Sequence, residues 1–347
     1  MLCGRNAGQI ALAGLGVALL LLAGGGASAQ TLEESLIAAY GNNPTLNAQR
    51  AATRVTDENV PRALSGYRPT ITGAASATKN ALGIITEPSS IFGIPVPGTS
   101  TNTVLNQSAL SVTVTQNLYN GFRTGNNTRA AESQVRQSQE TLRQTEQQVL
   151  LDATTAHMNV LRDEALLQLQ QQNVQALAAQ LKASKDRFDV GEVTRTDVAL
   201  AEAASAGARA QLIQAQASLN TSRAVYRLVI GFDPKKLSPG RPVDQLLPRS
   251  FEAAITDGTQ GHPAVVAAQY AIDIAALQVK VAEGALLPTV NAQGVLSRSN
   301  EPSTSVARQN TASIGVAATA PIYQGGAEYA AVRQSKEILG QTRIQMD

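Results

Sequence analysis

The chain repeats itself, and any fold proposed for it must hold two copies of one unit. Asn43 and Pro44 open a helical pattern that ends at Arg68, Pro69, Thr70 and Ile71, while His262 and Pro263 open another that ends at Leu287, Pro288, Thr289 and Val290. The two prolines of each copy are 25 residues apart, and the copies stand at an offset of 219. Further on, Leu118, Tyr119, Asn120 and Gly121 match Ile322, Tyr323, Gln324 and Gly325 at an offset of 204, with Leu110 and Val112 mapping onto Ile314 and Val316. The offsets differ by 15, which puts an insertion in the first copy. Its place is Ile84 to Gly98, whose Pro and Gly content predicts an exposed loop.

Each copy reads helix, strand, loop, strand, helix. In the second strand Leu110, Val112, Val114 and Leu118 alternate with Ser111, Thr113, Thr115 and Asn117, a period of two; its mate keeps Ile314, Val316, Ala318, Ala320 and Ile322 on the matching face. One apolar and one Ser/Thr/Asn face over about ten residues suits a membrane barrel strand with lipid on one side and water on the other. A half-buried soluble hairpin has the same alternation and stands as the alternative.

From Thr124 to Asp189 there is no Pro and, after Gly125, no Gly; Gln, Ala, Leu, Glu and Arg dominate. This predicts one helix about 100 Å long at 1.5 Å per residue. Val135, Leu142, Val149 and Ala156 recur every seven residues, as do Val160, Leu167, Val174, Leu181 and Phe188 after a four-residue step. Such spacing makes a narrow coiled-coil seam. A turn at Asp189 to Val193 precedes a second helix, capped by Thr194 or Thr196 and running to about Ile230, with mostly small seam residues from Val198 to Val229. That helix and the 43 to 67 helix together match the long one, so the return arm reads as two helices end to end. Pro61 should kink the second of them. Aromatics make up 3% of the chain and Trp is absent, which fits narrow helix seams better than a wide core.

Residues 231 to 261, with Pro234, Pro239, Pro242 and Pro248, read as a connector that interrupts the helices, and residues 31 to 42 as a short amphipathic helix. Arg5, an apolar run from Ile10 to Ala23, and Ala27, Ser28 and Ala29 before Gln30 have the layout of a cleavable secretory signal. Cleavage is expected between Ala29 and Gln30. An uncleaved anchor is the alternative, although the run is shorter than the roughly 20 residues of a bilayer span. The one cysteine, Cys3, precedes the apolar run, so no disulfide, CxxC pair or lipidated cysteine is expected in the mature chain. The net charge of +2 is spread without a basic stripe, which argues against nucleic acid as a partner.

Four short strands cannot close a barrel in lipid, because an open edge leaves backbone groups unsatisfied at several kcal/mol each. If they span a membrane, copies must join. Eight strands would be filled by side chains, whereas twelve from three chains leave room for a conduit.

At this point the chain resembles TolC-family outer-membrane efflux proteins. The resemblance rests on TLEESLIAAYGNNPTLNAQRA, the junctions GYRPTI, ALLPTV, NLYNGFRTGN and PIYQGGAEYA, and RFDVGEVTRTDVALAEA at the hairpin turn. It implies a mainly α fold with a small β part: long coiled-coil hairpins, and β-hairpins that contribute to a trimeric twelve-strand outer-membrane barrel continued by a helical tunnel in the periplasm. It also implies a passive duct of an efflux or type I secretion system, whose partners are a periplasmic adaptor and an inner-membrane transporter. Val190, Gly191, Glu192, Val193 and Thr194 become the expected adaptor-docking turn; a plain helix C-cap explains Gly191 equally well. Leu110, Val112, Val114, Leu118, Ile314, Val316 and Ile322 become the expected lipid-facing residues. The organisation is then a signal peptide (1–29), a first repeat (30–230), a connector (231–261) and a second, incomplete repeat (262–347). Relative to the first copy, the second is expected to lack its turn and returning helix, and with them the family's gate residues.

Rival readings have less support. No HExxH, GxSxG or Gly-rich phosphate loop occurs, so no catalytic, cofactor or metal residue is assigned. His262 aligns with Asn43 at a helix start, and His157 is read as a solvated or seam residue. A periplasmic coiled-coil adaptor or scaffold would share the secretion signal and hairpin, but not duplicated strand pairs beside long helices.

Overall fold

The computed structural model describes residues 30–91, 94–241 and 244–346. The expected signal segment, including Ala29, lies outside the described residues; Gln30 is the first of them. Two compact units divide the chain. One comprises the described part of Met1–Ser35 with Ala156–Leu228 and Phe232–Gly240; the other comprises Leu36–Thr155, Val229–Gly231 and Arg241–Asp347.

The first unit is built on a helical hairpin. Helix α4, Arg123–Asp189, is 67 residues long and contributes its part from Ala156 onward; α5, Arg195–Ile230, returns from the turn. Ser222 on α5 hydrogen-bonds Asp163 on α4, Arg223 pairs with Glu164 at 2.9 Å, and Lys185 with Glu202 at 2.8 Å. The partners converge in sequence toward the turn, as antiparallel helices require. Ala156 and Val160, the residues flanking the four-residue step, are both buried, as are Ser205, Ala208, Leu219 and Tyr226 of α5. Toward the turn the seam opens, and Phe188 is exposed.

The second unit holds the sheet and the helices that enter and leave it. Helices α1 (Leu32–Asn42), α2 (Pro44–Asp57) and α3 (Asn59–Leu64) precede β1 (Thr70–Thr86); α1 begins in the first unit. A small antiparallel hairpin, β2 (Ser89–Ile91) and β3 (Ile94–Val96), separates β1 from β4 (Thr99–Tyr119). After the first unit come α6 (Phe251–Gly261), α7 (Pro263–Gly284), β5 (Thr289–Ser303), β6 (Val306–Thr319) and α8 (Ala327–Ile344). The four long strands form one antiparallel sheet in the order β1-β4-β5-β6, so the hairpins of the two copies pair with each other through β4 and β5.

Three local expectations come out differently, and the disruption expected from Pro61 is present. The stretch Ile84 to Gly98 is not a loop: its first residues extend β1 and its middle forms β2 and β3. Three consecutive β-branched residues, Ile84, Ile85 and Thr86, favour strand over loop there. The effect of Pro61 appears upstream, where the helix breaks between Asp57 and Asn59; proline has no N–H to donate to the carbonyl four residues back, that of Asp57. The connector contains a helix, α6, because Ser250 caps it through the Ala253 amide at 3.2 Å and no proline follows until Pro263. Ile322 lies beyond the end of β6 in irregular backbone, 98% exposed. Its counterpart Leu118 remains in a strand because β4 goes on pairing with β5 as far as Tyr119, opposite Val290, whereas β6 ends at Thr319, opposite the first residue of β5.

Candidate functional site

Two regions carry the residues singled out by sequence, one in each unit. The hairpin turn caps itself. Gly191, at φ +82°, donates its amide to Phe188 O at 2.9 Å, and Glu192 donates to Arg187 O at 2.9 Å, the paired bonds of a Schellman C-cap. On the other side the Thr194 amide and hydroxyl donate to Asp197 Oδ2 at 2.8 and 2.7 Å, and the Asp197 amide donates back to Thr194 Oγ1 at 3.3 Å. This reciprocal box begins α5 and holds the Asp197 carboxyl below its ordinary range, chiefly through the Thr194 hydroxyl. The C-cap geometry accounts for Gly191 without any partner. What the turn leaves free is apolar: Val190 is 72% exposed and Phe188, two residues back, is 43% exposed.

Away from the turn, the same unit contains a polar cluster that sequence reasoning missed. Ser35 Oγ lies 3.1 Å from His157 Nδ1 and 2.9 Å from the Tyr226 hydroxyl, and His157 Nε2 lies 3.0 Å from Ser238 O. Ser35, His157 and Tyr226 are fully buried. With Nε2–H donating to the Ser238 carbonyl, Nδ1 accepts from the serine hydroxyl and every ring nitrogen is satisfied. His157 is therefore a seam residue with fixed partners, not a solvated one. Burial raises the Tyr226 phenol above its usual value. Deeper in the hairpin, the Arg162 guanidinium, 2.8 Å from Asp163 Oδ1, and then the Ser222 hydroxyl hold the buried Asp163 carboxyl below its ordinary range against the opposing effect of burial.

In the sheet, the register sorts side chains by face, since directly paired residues point the same way. Val114 pairs with Ile71 and Gly294, and Gly294 with Ile314; Val112 pairs with Gly73 and Leu296, and Leu296 with Ala312. The next row toward the helices joins Gln116 to Ala292 and Val316, with no β1 residue. The other face joins Thr72, Thr113 and, through Val295, Ser313, then Ala74, Ser111, Ser297 and Thr311. One face thus has two adjacent rows that are apolar across all four strands, and the other face is mostly Ser, Thr, Gln and Asn. Leu110, Val112, Val114, Ile314 and Val316 share the apolar face, and all five are exposed; Ile314 reaches 91%. Leu118 stands at a register shift between Asn117 and Tyr119, and Ile322 is outside the sheet. The edges of β1 and β6 that face away from the sheet have no strand partner among the described residues.

The sequence profile of the outer membrane efflux protein family matches residues 36–231 and 255–346. The chain belongs to that family. Among curated relatives of this family member, the outer membrane efflux protein BepC of Brucella suis biovar 1 is 40% identical over 328 residues, which are 94% of this chain and 68% of BepC. The outer membrane protein TolC of Vibrio cholerae is 30% identical over 229 residues, 60% of this chain and 51% of that protein. The chain thus spans about two thirds of the first relative and half of the second. Of solved structures, the Campylobacter jejuni CmeC outer membrane channel superposes with a TM-score of 0.76 at 16% identity, over 91% of this chain and 66% of that one. The Neisseria gonorrhoeae MtrE outer membrane channel, solved in its open state, gives 0.67 at 16% identity over 91% and 68%. These likenesses show the fold: mostly helical with a small β part, as in outer-membrane channels. The family and its relatives place the protein in the outer membrane as an efflux or secretion channel.

Proposed function

We propose that three copies of this protein close a twelve-strand barrel in the outer membrane and a helical conduit beneath it. The conduit passes cargo passively from an inner-membrane transporter, with a periplasmic adaptor docked on the hairpin turn. The observation that carries this reading is the sheet register. Two adjacent rows apolar across all four strands, opposite a polar face, suit lipid outside and water inside, and open edges on β1 and β6 supply the pairing surfaces that closure needs. Relatives named for efflux and for alkaline protease secretion support a conduit, and no catalytic residue is needed for passive flow. Val190 to Thr194 form a rigid, self-capped knob with an apolar tip, a shape that suits insertion between partner helices. An 18-residue stretch of α7 has a mean hydropathy of 1.4 and few fully buried residues within one copy, which fits a face covered on assembly.

Planar-bilayer recording of the purified oligomer tests the reading. Ion conductance is expected, with twelve-strand closure seen as a trimer by native mass spectrometry. A monomer that stays water-soluble and shows no conductance would sink it.

A further inference from the structure

The apolar face of the sheet ends in positive charge. Beyond Leu296, the next residue of β5 on that face is Arg298; beyond Ala312, β6 presents Asn310 and then Arg308. On β1 the same face runs through Ala75 and Ala77 to Lys79. All three cations are exposed.

The site is organised, not merely charged. Asn300 Nδ2 donates to Ser108 Oγ at 3.0 Å, and Arg308 Nε donates to Asn300 Oδ1 at 3.3 Å, a chain of bonds across β4, β5 and β6. It anchors the Nε edge of the guanidinium and leaves the two terminal nitrogens unengaged. Arg298 pairs with Asn310, so Arg308, two residues along, is its diagonal neighbour at about 7–8 Å between backbones. Among the described residues neither arginine takes part in an ion pair. Glu301, the nearest carboxylate in sequence, accepts from the Asn106 amide at 3.0 Å instead. Two arginines held this close repel unless an anion lies between them, and a guanidinium fork matches phosphate oxygens bidentately.

The level of the pair decides which anion. Val290, on the apolar face at the helix-side end, and Arg298 bound a stretch of nine residues, the length of a membrane-spanning strand of about 9–11. At the Val290 end lie Tyr119, paired with Val290, and Phe122, whose ring meets that of Tyr119 at 5.4 Å; such aromatics mark a membrane interface. The arginines therefore stand where head groups of the opposite leaflet lie.

We infer that Arg298 and Arg308 bind a phosphate group of an anionic lipid in the outer leaflet and so fix the depth of the barrel. This rests on the reading of the apolar face as lipid-facing.

The test uses the full-length oligomer in nanodiscs containing phosphorylated lipid A or its enzymatically dephosphorylated form, with co-purifying lipid counted by native mass spectrometry. The wild type should retain at least tenfold more phosphorylated lipid than R298Q/R308Q, R298K/R308K should fall between, and the dephosphorylated form should be retained equally by all. Equal retention of the phosphorylated form by wild type and R298Q/R308Q overturns the proposal, as does its full displacement by millimolar inorganic phosphate. The chain has no tryptophan, so Ile314→Trp provides a separate probe in brominated lipid. Quenching with indifference to phosphate defeats the rim site alone, and no quenching defeats the lipid face as well.

Discussion

Asn43 and His262 stand 219 residues apart and cap their helices in the same way. Asn43 Oδ1 accepts from the Thr45 and Leu46 amides at 2.9 and 3.2 Å; His262 Nδ1 accepts from the Ala264 amide at 3.2 Å. Their backbones agree, with φ −63°, ψ 123° and φ −71°, ψ 124°, and proline follows each. His262→Ala should lower stability by about 1 kcal/mol, the usual worth of a lost N-cap. His262→Asn, which copies the other repeat, should restore most of it. Thermal unfolding followed by circular dichroism separates the two; equal losses would show that the ring is not acting as a cap.

The strand-to-helix corners are a second matched pair, but their surroundings differ. Gly121 and Gly325 have φ of +66° and +62°. A Cβ at Gly121 would collide with the backbone of Gly284 at the end of α7, whereas one at Gly325 meets open space. Gly325→Ala should cost about 1–2 kcal/mol of left-handed strain. Gly121→Ala should cost clearly more, since backbone must move as well. Denaturant midpoints of the two variants are the measurement, and equal shifts would mean that the close approach to Gly284 contributes nothing.

What the sequence made legible follows from range. Caps, the Schellman turn and the strand alternation depend on residues within a few positions of one another, so Asn43, Gly191 and Val112 could be read directly. The heptads showed which side of α4 and α5 is buried, and Ala156, Val160 and Tyr226 are buried there. The cluster of Ser35, His157 and Tyr226 was not legible, because its members are 122 and 191 residues apart and no local pattern marks them. The pairing of β4 with β5 was hidden for the same reason. The arginine pair is hidden from an apolar alternation, which ends at Leu296 on β5 and Ala312 on β6. Carrying the face of Leu296 two residues on would have reached Arg298.

Asp163 gives the helical hairpin a pH dependence. Its carboxyl is held below the ordinary carboxylate range by Arg162 and Ser222, so its contribution is full above the unfolded value of about 3.9 and is lost as pH falls through the folded one. Asp163→Asn should therefore lower the melting temperature at pH 7 and make the fall in acid shallower than in wild type. Parallel curves of melting temperature against pH would exclude a role for this carboxylate.

Gly191 tests the turn. A valine there must adopt φ near +82° with no steric neighbour to relieve, so the strain falls on the Schellman bonds alone. Gly191→Val should leave oligomer mass and conductance unchanged while weakening adaptor binding roughly tenfold, about 1.4 kcal/mol. Surface plasmon resonance with the adaptor immobilised reads the difference, and an unchanged affinity would remove the turn from the docking surface.

The sharpest test of the sheet uses adjacent residues of β4. Val112 lies on the apolar face between Gly73 and Leu296, and Thr113 on the polar face between Thr72 and Val295. If the first face meets lipid, Val112→Arg buries a charge in hydrocarbon at a cost of about 2–4 kcal/mol near the midplane. Thr113→Arg, one residue away, turns its charge toward water and should be tolerated. Membrane insertion and trimer recovery should therefore fall for Val112→Arg and hold for Thr113→Arg, with Thr113→Arg shifting ion selectivity toward anions. Were the faces reversed, the two phenotypes would exchange, because a step of one residue along a strand exchanges the two sides of the sheet.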